Sequence, residues 1–137
     1  MRTSTTAAMI FGVLAVGVSA SAQDEQAIKM KAFQDEVRSY YEQAKQYSTP
    51  KTARLNALRD QVQPLQEKLT QAKDDATRRQ LTSALAPLRE EMSSLAEELA
   101  KHDVEVLQQG LAFAQRRLEF AQQRLARIQA GKLKDTR

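Results

Sequence analysis

The chain has 137 residues, with 21 Lys and Arg against 17 Asp and Glu, a formal charge of +4, and neither cysteine nor tryptophan. That length suits one domain after any leader is removed. The missing cysteine excludes disulfides, thiolate metal sites, cysteine nucleophiles and lipid attachment at an amino-terminal Cys. A single histidine and the absence of any HExxH, P-loop, GxSxG or dinucleotide pattern leave no enzyme signature.

The chain opens with Arg2, an uncharged apolar run over 7–18, and the small residues Ser19, Ala20, Ser21 and Ala22. These are the three parts of a secretory signal peptide. The run falls short of the ~20 apolar residues of a spanning helix, and Gly12 and Gly17 interrupt it. We therefore expect 1–22 to be cleaved and the rest to be exported, with the bacterial periplasm as destination. A helical coiled-coil domain over 23–131 and a basic disordered tail over 132–137 would remain.

After position 22 the only glycines are Gly110 and Gly131, and the only prolines are Pro50, Pro64 and Pro87. Strong helix formers dominate and no segment alternates with period 2. The predicted class is all-α: a long helical hairpin or antiparallel coiled-coil bundle of two to four helices. The first helix is expected over 24–47, with Met30, Phe33, Val37, Tyr40, Tyr41, Ala44 and Tyr47 on one face. Ser48, Thr49 and Pro50 read as stop and restart, because Pro disfavours helix before it and suits the first turn after it.

From Lys51 a heptad seam runs through Leu55, Leu58, Val62, Leu65, Leu69, Ala72 and Ala76, with Pro64 expected to kink it. The seam slips before Leu81, where Thr77 and Gln80 have capping-box spacing. A reversal is predicted near 74–79, near 100–104, or at both. Leu81, Leu85, Leu88, Met92, Leu95 and Leu99 form the next run, with Pro87 inside it. The pattern around Pro64 recurs around Pro87 at an offset of 23, which suits an antiparallel pair. Past Ala100 the phase slips again, to Val104, Leu107, Leu111, Ala114, Leu118, Ala121, Leu125 and Ile128. Gly131 is expected to end this helix.

Two groups of residues are candidate binding elements. Phe113, Arg117, Phe120, Arg124 and Arg127 lie within roughly 40° of one line on the last helix, about 115° from its leucine seam. With seven basic and two acidic residues over 111–137, this stripe suits a protein partner or an anionic surface. Phe33, Tyr40, Tyr41 and Tyr47 suit an apolar groove for a client. His102, flanked by acids, is weighed as a metal ligand or proton sensor, and a solvated role is preferred. No catalytic residue, metal or cofactor is expected.

Small exported helical proteins include the periplasmic chaperones. The chain lacks the opening strand of the trimeric jellyfish-like type. Leu69-Thr70-Gln71 and Leu81-Thr82-Ser83 miss the Leu-Thr-x-x-Gln spacing of the stress-induced cradle type. The expected function is a non-enzymatic, chaperone-like or adaptor module that binds other proteins or itself. An envelope spacer, or a protein binding anionic membrane or lipopolysaccharide, is the alternative. Export argues against nucleic acid.

Overall fold

A computed structural model describes residues 22–135, with side chains described over 24–132; the segment read as a signal peptide lies outside them. The chain forms two helices, α1 (Ala22–Gln71) and α2 (Asp75–Asp135), and no strand among the described residues. At 1.5 Å per residue they are about 75 and 90 Å long. They run antiparallel, tied by Lys51–Glu98, Arg54–Glu91 and Arg116–Glu36 ion pairs. The protein is an all-α helical hairpin. Among the described residues no helix is long and apolar enough to cross a membrane.

The reversal sits at Ala72, Lys73 and Asp74, at the first of the two predicted places. Asp74 is the cap of α2. Its Oδ2 accepts from the Thr77 amide at 2.8 Å and from the Thr77 hydroxyl at 2.7 Å. These bonds satisfy one of the orphan amides of a helix start. They also hold the Asp74 carboxyl below its ordinary value. Arg78 reaches back with Nε to the Ala72 carbonyl at 3.0 Å and so covers the end of α1 without a glycine. The cap is therefore Asp74, three residues before the Thr77 to which the spacing of Thr77 and Gln80 points.

Two predicted boundaries are absent. α1 passes through Ser48, Thr49 and Pro50 unbroken, and α2 passes through 100–104 unbroken. Pro50 forfeits one backbone hydrogen bond and strains the preceding turn. Packing on both sides outweighs that cost, because Phe33 before it and Leu55 and Leu58 after it are all buried on one face. Pro64 and Pro87 likewise lie inside helices. α2 also continues past Gly131 to Asp135, so the predicted glycine stop is not a helix end.

On α1 the sheltered positions are Gln26, Met30, Phe33, Val37, Tyr40, Ala44, Ser48, Lys51, Leu55, Leu58, Val62, Leu65 and Leu69. They step by 3 and 4, with one doubled step of 4 between Tyr40 and Ser48. The extra step of four is a stutter, which locally unwinds the supercoil just before Pro50. Leu58 and Leu85 are fully buried near the turn, and Phe33 and Phe113 are buried toward the open end. The two segments related by the offset of 23 stand opposite each other across the turn.

Candidate functional site

Helix α2 carries two apolar seams, and only one of them meets α1. The first half of α2 is pinned by Leu81, Leu85, Leu88, Met92, Leu95 and Leu99, all at least partly sheltered. An unbroken helix must keep that face. The same 3-4 steps therefore continue to His102, Val106, Gln109, Phe113, Arg116 and Phe120. All but Arg116 of these are sheltered, and Arg116 is tied to α1 by its side chain. The face turned to α1 does not undergo the phase slip predicted past Ala100. The leucine seam from Val104 to Ile128 lies roughly 150° around the helix from this face. It points away from α1.

Exposure confirms the assignment. Leu107 is 73%, Leu111 62%, Leu118 58% and Leu125 55% exposed. Val104, Ala114, Ala121 and Ile128 are exposed as well. Turning this richer seam toward α1 would require unwinding α2 over a turn, with the loss of several backbone hydrogen bonds. Helical continuity thus overrides side-chain hydrophobicity in the distal half.

The two predicted aromatic groups meet each other. Phe113 packs edge-to-face on Phe33, with centroids 6.0 Å apart, and on Tyr40 at 5.6 Å. Phe120 lies 5.5 Å from Phe33, and Tyr41 lies 6.2 Å from Phe113. Offset and edge-to-face contacts are the favoured geometries for such rings. Phe113 and Phe120 therefore fill the groove predicted for a client, and Phe33 and Phe113 are buried against each other. Tyr41 and Tyr47 keep exposed edges.

The arginine that works at this cluster is Arg116 rather than the predicted Arg117. Its guanidinium lies 4.8 Å from the Phe33 centroid and donates to both Glu36 oxygens, at 2.7 and 2.9 Å. That hydrogen bond holds the Glu36 carboxyl below its usual range and raises the Arg116 value. Arg127 donates to the Gln26 side chain of α1. Arg117 and Arg124 are exposed on the flank of the leucine seam. Extending the Leu81–Leu99 rhythm past residue 99 would have selected Arg116. The common line through Phe113 and Phe120 points to Arg117 instead, the residue next in sequence.

His102 is part of the interface. Its Nε2 donates to the Ala44 carbonyl at 3.1 Å, and its ring lies 4.5 Å from that of Tyr47. Lys51 stacks on the same tyrosine at 4.9 Å and pairs with Glu98 at 2.6 Å. The hydrogen bond to Glu98 raises the Lys51 value. Among the described residues no group of three or more His, Asp or Glu is placed to hold a metal ion. The candidate site is thus the outward seam of Val104, Leu107, Leu111, Leu118, Leu125 and Ile128. It can bury apolar area against a partner, and it presents no set of converging polar groups. No family model, curated protein or solved structure matches the chain.

Proposed function

We propose that the protein is a non-enzymatic, protein-binding module of chaperone-like or adaptor type, exported across the inner membrane and working in the periplasm. The observation that carries this reading is the outward seam of α2, eight positions at strict 3-4 spacing and all exposed. Its six larger side chains, at about 100 Å² each when half exposed, offer on the order of 600 Å² of apolar surface in one stripe. That equals or exceeds the largest patch of an ordinary monomer and marks a site of association. The export part of the reading rests on the charge, apolar run and small residues of 1–22.

The test is suppression of aggregation of unfolded client proteins at near-equimolar ratio. The protein is expected to suppress it, and the Leu111→Lys/Leu118→Lys variant to lose the effect with its helix content intact. No effect on several unrelated clients would overturn the reading.

A second reading is favoured by Arg117 and Arg124, which are exposed beside the seam. An apolar stripe edged with arginine also suits the surface of an anionic membrane or lipopolysaccharide. Salt-sensitive binding to anionic vesicles, lost on charge reversal of both arginines, would establish it in place of the first.

A further inference from the structure

We propose that the occupant of the outward seam is a second copy of this chain, docked antiparallel about the midpoint of the seam at position 116. This rests on the reading of the seam as a protein-binding face and names its partner.

The seam is self-complementary when reversed. Residues equally distant from 116 then face each other, which pairs Val104 with Ile128 and Leu107 with Leu125 of the other copy. The same operation pairs Leu111 with Ala121 and Ala114 with Leu118. At the centre every leucine therefore meets an alanine. Such large-to-small matching fills an interface at constant thickness. A parallel pair would instead stack Leu111 on Leu111 and Leu118 on Leu118, with Ala114 on Ala114 and Ala121 on Ala121 between them. Those layers alternate between too thick and too thin.

The flanks agree with a copy as partner. One edge of the seam is Gln108, Gln115, Gln122 and Gln129, a row with no charge to repel its own image. The other edge carries Asp103, Gly110, Arg117, Arg124 and Gly131. Along this edge Arg124 of one copy lies nearest Gly110 of the other, two residues out of exact register, beside the Tyr41 hydroxyl that closes over that glycine. Only Arg117 meets its own counterpart. The seam is limited to the distal half, because Glu90, Ser93 and Glu97 occupy the same line nearer the turn. α1 lies on the far side of α2 from the leucines, and of its side chains Tyr41 reaches the seam's edge at Gly110.

The area is adequate. The ~600 Å² of the six larger side chains, with Ala114, Ala121 and the glutamine stems added, approaches the ~800 Å² per partner of a standard stable interface. The two turns would then project in opposite directions, about 130 Å apart along α2.

Single-cysteine mapping tests the proposal cleanly, since the natural chain has no cysteine. Val104→Cys and Ile128→Cys lie about 36 Å apart on one helix, far beyond the ~7 Å limit for a disulfide. Mixed under mild oxidant in the full chain, they are expected to form a heterodisulfide, while each alone stays monomeric on a non-reducing gel. Sedimentation should show a dimer, weakened about a hundredfold or more by Leu111→Lys/Leu118→Lys, because buried unpaired charges oppose association. Added salt should strengthen the dimer by screening the Arg117 pair.

Disulfides within each single variant would overturn the antiparallel arrangement. A monomer that forms no crosslink but still suppresses client aggregation would overturn the second copy and leave the protein-binding reading standing. A monomer that does neither would overturn both. Vesicle binding that weakens with salt, without dimer, would replace the copy with a lipid surface.

Discussion

Leu58→Ala and Leu107→Ala remove the same three carbons from helices of the same hairpin, and their costs should differ several-fold. Leu58 is fully buried, whereas Leu107 is 73% exposed. For Leu58 the transfer loss is about 0.8 kcal/mol per carbon, or roughly 2.4 kcal/mol. A residual cavity adds to this. The interface is only two helices thick, so neighbouring side chains can close over the gap, and the total belongs in the lower half of the roughly 2–5 kcal/mol range for Leu→Ala. About 3 kcal/mol is expected, a fall of ~10–12 °C in Tm for a domain of this size. Leu107 loses only about a quarter of that contact area, and the better helix propensity of Ala offsets part of it. Its change should stay within about 0.5 kcal/mol. Urea melts followed by circular dichroism measure both, at a concentration low enough to keep the chain monomeric. Association of the outward seam would otherwise add to the Leu107 cost. Equal costs for the two variants would refute the assignment of the inward and outward seams.

Two other outcomes follow from the geometry. Pro50→Ala should stabilise the hairpin by about 1–3 kcal/mol, because it restores the amide that bonds the Gln46 carbonyl and relieves the ring clash in an unbroken helix; a lower Tm would mean that the chain turns at Pro50. Stability should also fall on acidification. Hydrogen bonds from Arg116, Arg54 and Lys101 hold Glu36, Glu91 and Glu97 below their ordinary value of 4.5 in the fold. In that window the unfolded chain binds more protons, so their contribution is complete above pH ~4.5 and is lost as pH drops through the lower folded values. A melting midpoint that rises from pH 5 to pH 3 would contradict these pairings.

Much of the fold can be read from residue type and spacing. The all-α class follows from helix formers and the scarcity of glycine, and the turn near 74 follows from the step of five between Ala76 and Leu81. The face of α1 was also legible, since Met30, Phe33, Val37, Tyr40 and Ala44 all lie on it. The break expected at Pro50 was not real, for a reason that local sequence does not contain. Proline sets a local cost, and whether a helix bears it depends on what both flanking turns pack against. The apolar faces on either side of Pro50 are served by the same continuous partner, α2. Asp74 is masked as the cap by the capping pattern of Thr77 and Gln80, although an Asp three residues before Thr77 offers the Thr77 amide the same kind of acceptor.

The distal half of α2 shows where hydrophobicity fails as a guide to burial. Between 104 and 128 the leucine seam is the more apolar of the two, and it is the one left outside. The inward line contains His102, Gln109 and Arg116, residues that a search for core would discard. They serve there because each finds a partner on α1 or lies beside residues that do. His102 bonds the Ala44 carbonyl, and Arg116 lies over Phe33 and grips Glu36. A polar residue whose hydrogen bonds are met costs little at a thin interface. A surplus apolar stripe costs nothing in the folded protomer except solubility. The chain can therefore hold its own hairpin with a mixed polar and aromatic seam and keep its leucines for an external surface. Helical continuity turns the richer seam outward, and the proposed role of that seam as an interface suits this division, since intramolecular pairing, at high effective concentration, needs less apolar area than association between separate molecules.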